Sequence, residues 1–244
     1  MLKKFIKDYQ RLLRNVPSDV IALFTLSVVL MNLLANKEID FGVSWLALDC
    51  GFTLSWLSFL CMDMITKRFG PKASVKISMF AIFVNLVSCL VFYGVSKIPG
   101  NWGEFYTYGL PEVNQSLDAT IGGTWYVLLG STIAFAVSSV VNAGINALIG
   151  KLRASDTFKD FALRSYISTL VAQFVDNMLF ALIVSHTFFG WSFLQCVTCS
   201  LTGCILELLC EIVFSPIGYK VCKRWQHDNV GAEYLDVEVK NDNK

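Results

Sequence analysis

The chain has 244 residues, of which 55% are hydrophobic and only 16% charged, with a net charge of +1 and a mean hydropathy of +0.55. Average soluble domains carry about 25% charged residues, so a chain this apolar can hide its surface from water only in lipid. The balanced charge gives no reason to expect a nucleic-acid partner. The absence of H-E-x-x-H, G-x-S-x-G and Gly-rich phosphate motifs, with only two histidines, argues against an enzyme.

The first seventeen residues are basic and amphipathic, end at Pro17 and lack a signal-peptide cleavage site, and Ser18 is placed to cap the helix that follows. Crossing the hydrocarbon core takes about 20 mostly apolar residues. Six stretches qualify: 19–36, 44–65, 76–97, 124–150, 163–186 and 190–222. The longest connection, 98–123, carries Glu104, Glu112 and Asp118, and Trp102, Tyr106, Tyr108 and Trp125 border it as an interfacial aromatic belt would. The spans make residues 1–225 one membrane domain. Residues 226–244 read as a polar, disordered cytoplasmic tail.

Basic residues set the orientation. Lys3, Lys4, Lys7, Arg11 and Arg14 precede span one; Lys67, Arg68, Lys72 and Lys76 separate spans two and three; Lys151, Arg153, Lys159 and Arg164 separate spans four and five. Lys220, Lys223, Arg224, Lys240 and Lys244 follow span six, leaving only Lys37 and Lys97 of the 20 basic residues on the other side. The positive-inside rule then predicts both ends in the cytoplasm, which demands an even number of spans. The expected fold is all-α: a polytopic membrane protein of six transmembrane helices, N-in and C-in.

Ionisable groups inside the spans carry the chemistry, because a charge near the bilayer centre costs roughly 2.5–3.5 kcal/mol and faces a bundle interior or a wet cavity. Asp49, Asp63, Asp176, Glu207 and Glu211 fall inside or at the edge of spans. Asp176 has Gln173 one turn earlier and Asn177 beside it, and Glu207 and Glu211 are spaced i, i+4 on one helix face. Asn32, Asn85, Asn142 and Asn146 lie in other helices and can line the same space. For Asn85, Asn146 and Gln195 the simpler reading is interhelical hydrogen bonding. Asp63 can equally snorkel to Lys67 and Arg68, Asp49 can reach the interface, and His186 reads as a wetted interfacial residue. The eight cysteines, Cys196 and Cys199 at C-x-x-C spacing among them, lie in apolar surroundings and read as packing residues, so neither metal nor cofactor is expected.

Several segments resemble one known family. Asp63-Met64-Ile65-Thr66-Lys67-Arg68-Phe69-Gly70 is similar to the D-x-x-T-E-x-Y-G motif of the queuosine precursor transporters, which are VUT-type vitamin uptake transporters. Arg164-Ser165-Tyr166-Ile167-Ser168-Thr169, continued by Gln173, Asp176 and Phe180, is similar to their R-x-x-x-S-T-x-x-x-Q-x-x-D-x-x-x-F stretch. Glu211 with Ser215-Pro216 and Tyr219 resembles E-x-x-x-T-P-x-x-Y, and Asn32 with Asn36-Lys37 resembles the start of the pattern. The likeness covers about residues 20–224. Lys67 stands where the family has Glu, Glu207 where it has Lys, Trp56 where it has Pro, and Asn142 where it has Asp. The first two exchanges suggest either a swapped ion pair or a pocket tuned to another solute.

The resemblance implies a bacterial inner-membrane importer of a 7-deazaguanine base such as queuine, used to salvage a tRNA modification. A carboxylate, as an acceptor, can take the adjacent N–H and NH₂ of a guanine-like edge. Asn32, Asp63, Gln173, Asp176, Glu207 and Glu211 are the expected substrate-binding set, with Trp56 or Phe59 stacking on the ring. The expected partners are that base and lipid, with a homodimer left open. The alternatives are a substrate-capturing subunit for another vitamin-like or nucleobase solute, energised by an external complex, and an assembly factor with no solute.

Overall fold

The computed structural model describes residues 2–43, 45–103, 109–122, 125–152 and 157–242. α1 (Leu2–Asn15) and α2 (Ser18–Leu34) precede an antiparallel hairpin, β1 (Glu38–Asp40) and β2 (Ala47–Asp49), which leads into α3 (Phe52–Phe69). α4 (Pro71–Ser96), α5 (Pro111–Gly122), α6 (Trp125–Leu152) and α7 (Phe158–Phe180) follow. α7 runs on as a π-helical segment, Ala181–His186, before α8 (Phe193–His227) and α9 (Ala232–Asp242).

α2, α3, α4, α6, α7 and α8 pack into a bundle in which α7 touches both α6 and α8 extensively. The bundle is apolar outside and polar inside. Phe83 and Leu90 of α4, Leu129 and Ile133 of α6, and Ile205, Leu209 and Val213 of α8 are exposed. Ser58, Asp63, Ser138, Asn142, Asn146, Ser165, Gln173, Glu207 and Glu211 show 1% exposure or less. Water would penalise that exposed surface, whereas lipid accepts it and leaves interhelical packing and hydrogen bonds to hold the helices together.

Among the described residues, α4, α6, α7 with its π segment, and α8 are each long and apolar enough to cross a membrane. α2 has 17 residues and passes that test only when joined to α1, which it meets at 105°. α3 has 18 residues and is too charged to pass, with Asp63, Lys67 and Arg68 near its end. The expected count of six is thus four or five by length and apolarity. The chain is a multi-pass membrane protein.

Local chemistry explains the boundaries. Gly70 at φ 87° turns α3 directly into α4, whose first residue is Pro71, where a missing N–H costs nothing. Ser192 and Gln195 form a reciprocal capping box at the start of α8, so Gln195 caps its own helix instead of bonding to another. Pro216 inside α8 leaves the Ile212 carbonyl without its helical donor, and the Ser215 hydroxyl supplies one at 3.2 Å.

Three expectations are corrected. The expected start of span two, residue 44, lies outside the described residues, and residues 45–49 form no part of a spanning helix. Leu48 instead packs under Trp191 and Cys196, and Trp45 O accepts from Thr198 Oγ1 at 2.6 Å, so the hairpin is clamped to α8. The cap before α2 is Pro17, with Ser18 already helical. The tail forms the last turns of α8 and then α9, anchored by buried Tyr234 against Phe69. α1 is tied to the same end of the bundle by an Asp8–Lys76 ion pair at 2.5 Å and by Tyr9 donating to Lys76 O at 2.6 Å. At the opposite end, Trp125, Tyr126, Phe188 and Phe189 stack into an aromatic patch. Glu104, Tyr106, Tyr108 and Arg153 lie outside the described residues.

Candidate functional site

Where α2 ends and α3 begins, the helices part around a cleft that encloses about 340 Å³ of atom-free space, counted to its mouth. Asn32, Asp49, Phe52, Ser55, Ser131, Asp176, Asn177, Phe180 and Glu207 line it. The room left between their side chains suits about two waters, so the cleft is narrow in this conformation.

Each polar group in it is held by a small neighbour. Asp176 Oδ1 accepts from Ser138 Oγ at 2.7 Å. Glu207 accepts from Asn177 Nδ2 at 3.1 Å and from the Ser55 hydroxyl. Asn32 Oδ1 accepts the Ser131 hydroxyl, while its Nδ2 donates to Val28 O at 2.9 Å. Among the described residues no Lys or Arg pairs with Asp176 or Glu207. Gly203 leaves room beside them, because a Cβ there would lie 2.7 Å from Asn177 Nδ2 and push that side chain aside. Asp49 closes the hairpin side, accepting from Gly51 N at 2.8 Å. Burial pushes its carboxyl up to about 6, with the Gly51 amide opposing and the Glu38 charge adding.

A second polar layer lies deeper. Asp63 is eight residues beyond Ser55 on α3, about 12 Å along the axis. It accepts from Asn142 Nδ2 at 2.7 Å, Ser165 Oγ at 2.5 Å and Thr169 Oγ1 at 3.2 Å. Ser165 also contacts Glu211, and Arg164 donates to Asn146 Oδ1 from Nε at 2.8 Å and from Nη2 at 2.6 Å. One turn on, Tyr166 and Ser215 are 2.6 Å apart.

The expected set thus divides. Asn32, Asp176 and Glu207 meet at the cleft, whereas Asp63 and Glu211 meet in the deeper layer and Gln173 lies between, fully buried. Asp63 does not snorkel: it is wholly buried, and Arg68 Nε donates instead to Val230 O at 2.9 Å. Glu207 and Lys67 form no swapped pair, since Lys67 sits over the Phe161 ring, twelve residues beyond the Ser55 that contacts Glu207. Trp56 stacks on Phe214 at 4.5 Å and Phe59 is enclosed against Phe135, so Phe52 and Phe180 are the rings at the cleft. Asn146 is the Arg164 acceptor, a bond on top of the interhelical contact expected of it. His186 is exposed and pairs with Trp191 O at 2.6 Å. Sequence reasoning missed Ser55, Ser131 and Ser138, and named Ser165 and Thr169 only within the family-like stretch of α7. The stripe Ser131, Ser138, Asn142, Asn146, recurring on one face of α6, was the available signal.

No curated protein and no solved structure matches the chain at a significant level. The family described as "Putative vitamin uptake transporter" matches residues 49–221, from the end of the hairpin through nearly all of α8 and including every expected site residue except Asn32. With a polar-cored bundle and a match over that much of its length, the chain belongs to this transporter family.

Proposed function

We propose that the protein imports a 7-deazaguanine base, queuine or a related queuosine precursor, across the bacterial cytoplasmic membrane for tRNA-modification salvage. The observation that carries this reading is the convergence of the Asp176 and Glu207 carboxyls with the Asn32 amide at one cleft inside a lipid-facing bundle. A carboxylate accepts the paired N–H and NH₂ of a guanine-like edge, an amide matches a ring carbonyl or nitrogen, and Phe52 and Phe180 offer faces to an aromatic ring. Asp63 and Glu211 support the site from the deeper layer, and Gln173 from the level between. In this reading α2, α3, α4, α6, α7 and α8 are six spans, with α1, α9 and the basic loops cytoplasmic.

The test is queuosine content in the tRNA of cells unable to make its precursors, with each base supplied in turn. Cells expressing the protein should regain queuosine, and cells expressing Asp176→Ala should not. Unchanged tRNA under every base would refute the substrate class. A carrier or substrate-capturing subunit for another vitamin-like solute is the second reading, favoured by the family description and by Glu207 standing where the transporters it resembles carry Lys.

A further inference from the structure

Ser165 stands between two buried carboxyl groups, touching Asp63 Oδ2 at 2.5 Å and Glu211 Oε1. A hydroxyl has one hydrogen to donate. If both carboxyls were ionised, one of them would face the Ser165 oxygen lone pairs with no proton in between. Asp63 has three further donors, Asn142, Thr169 and Ser168. Glu211 Oε2 has none among the described residues. The arrangement closes when Glu211 is protonated and donates to Ser165, and Ser165 donates to an ionised Asp63. Two like charges this close and this deep cannot both persist.

One cation acts on the pair: the charge of Arg164 on α7 is felt by Asp63 while its guanidinium is held by Asn146, and α6 presents the amides Asn142 and Asn146. Lys67 of α3 is turned over Phe161, Asp19 of α2 acts on Cys61, and Glu207 lies one turn nearer the cleft on α8. Gln173 supplies an independent sign. It is wholly buried, neither amide atom has a partner among the described residues, and it follows Thr169 by one turn and precedes Asn177 by another. A buried polar group left without a partner is costly, which marks the level between cleft and pair as a place for a transient polar guest.

We infer that Asp63 and Glu211 share a single proton that is bound and released as the carrier works, so that import is driven by a proton gradient. Passing the Glu211 Oε1 proton to water on the cytoplasmic side leaves two anions and one Ser165 hydrogen. The resulting repulsion parts α3 from α8, and α8 also carries Glu207 of the cleft. The role in transport rests on the import reading; the shared proton does not.

Infrared spectroscopy of the purified protein in nanodiscs, from neutral to alkaline pH, should show a protonated-carboxyl C=O band. That band should vanish in Glu211→Gln, shift in Ser165→Ala and persist in Glu207→Gln. Identical wild-type and Glu211→Gln spectra overturn the inference, and if Glu211→Gln does not fold, an unshifted band in Ser165→Ala does so. In proteoliposomes with labelled queuine, an inside-alkaline gradient of about one pH unit should sustain about tenfold accumulation at one proton per base. Glu211→Gln should only equilibrate. Accumulation that follows a sodium gradient instead overturns the coupling. A wild-type protein that exchanges no queuine refutes the import reading, and the infrared result still decides the proton.

Discussion

Glu207 and Glu211 sit one turn apart on the same face of α8, yet the structure gives them different company. Glu207 opens on a cleft with Asp176 and Asn32 and is held by two neutral donors, Ser55 and Asn177. Glu211 is sealed against Asp63 in a layer where Asn142, Ser165 and Thr169 crowd one carboxylate. The cleft layer has few internal bonds and spare acceptors, which suits a guest that brings its own donors. The deep layer is saturated around Asp63, which suits a permanent charge that must not reach lipid.

That contrast can be broken most forcefully at Asp63. Asp63→Ala strands the Asn142, Ser165 and Thr169 donors together, so a loss of about 3–5 kcal/mol is expected, read as a lowered thermal midpoint in detergent. Asp176→Ala removes one acceptor from Ser138, which keeps Phe135 O at 3.2 Å, and should cost no more than about 1 kcal/mol of stability. The same variant should weaken base binding by about 2–5 kcal/mol, measured by ligand titration. Equal damage to stability from both variants would erase the distinction between the layers.

Gly203→Ala probes the cleft without touching a carboxyl. Its new methyl displaces Asn177 from Glu207, and an overpacking cost of about 1–3 kcal/mol should appear with reduced uptake. Asp49 provides a pH test at the hairpin. Its folded carboxyl titrates near 6 against an ordinary 3.8, so the hairpin's stability is full below 3.8 and declines as pH rises through about 6. Protection factors for the amides of residues 45–50, with the intrinsic base-catalysed rise of exchange divided out, should therefore fall across that window in the wild type and stay flat in Asp49→Asn. The smallest effect belongs to Trp56→Leu, since that ring stacks on Phe214 away from the cleft, and uptake should stay within about twofold of wild type.

Much of the fold is legible in the sequence. Apolar runs locate all six bundle helices to within a few residues, apart from the start of α3, because the demand for a lipid-facing surface is written residue by residue. The intramembrane acids are legible for the complementary reason, that nothing but a site or a sealed pair tolerates them. Three features are not. Residues 45–49 belong to the stretch expected to open span two, yet 47–49 pair as a strand with 38–40, and Leu48 and Trp45 dock on α8. α9 is polar overall, and among its described side chains buried Tyr234, with Leu235 and the Arg11–Glu233 ion pair, holds it down. A serine can also bond to its own helix backbone, so Ser55 carries no signal by itself, and Ser131 and Ser138 show one only through the stripe they share with Asn142 and Asn146.

Composition and pattern alone, then, place the chain in lipid, mark which segments are helices, and single out the side chains too costly to face hydrocarbon. Tertiary packing settles how those side chains divide. Periodicity puts Asp176, Glu207 and Glu211 on inward faces, but whether an inward carboxyl meets a cleft or another carboxyl depends on which serine or asparagine the neighbouring helix presents at that height. That height is set by the packing of α3, α6, α7 and α8 against one another, a relation between distant segments that no local pattern encodes.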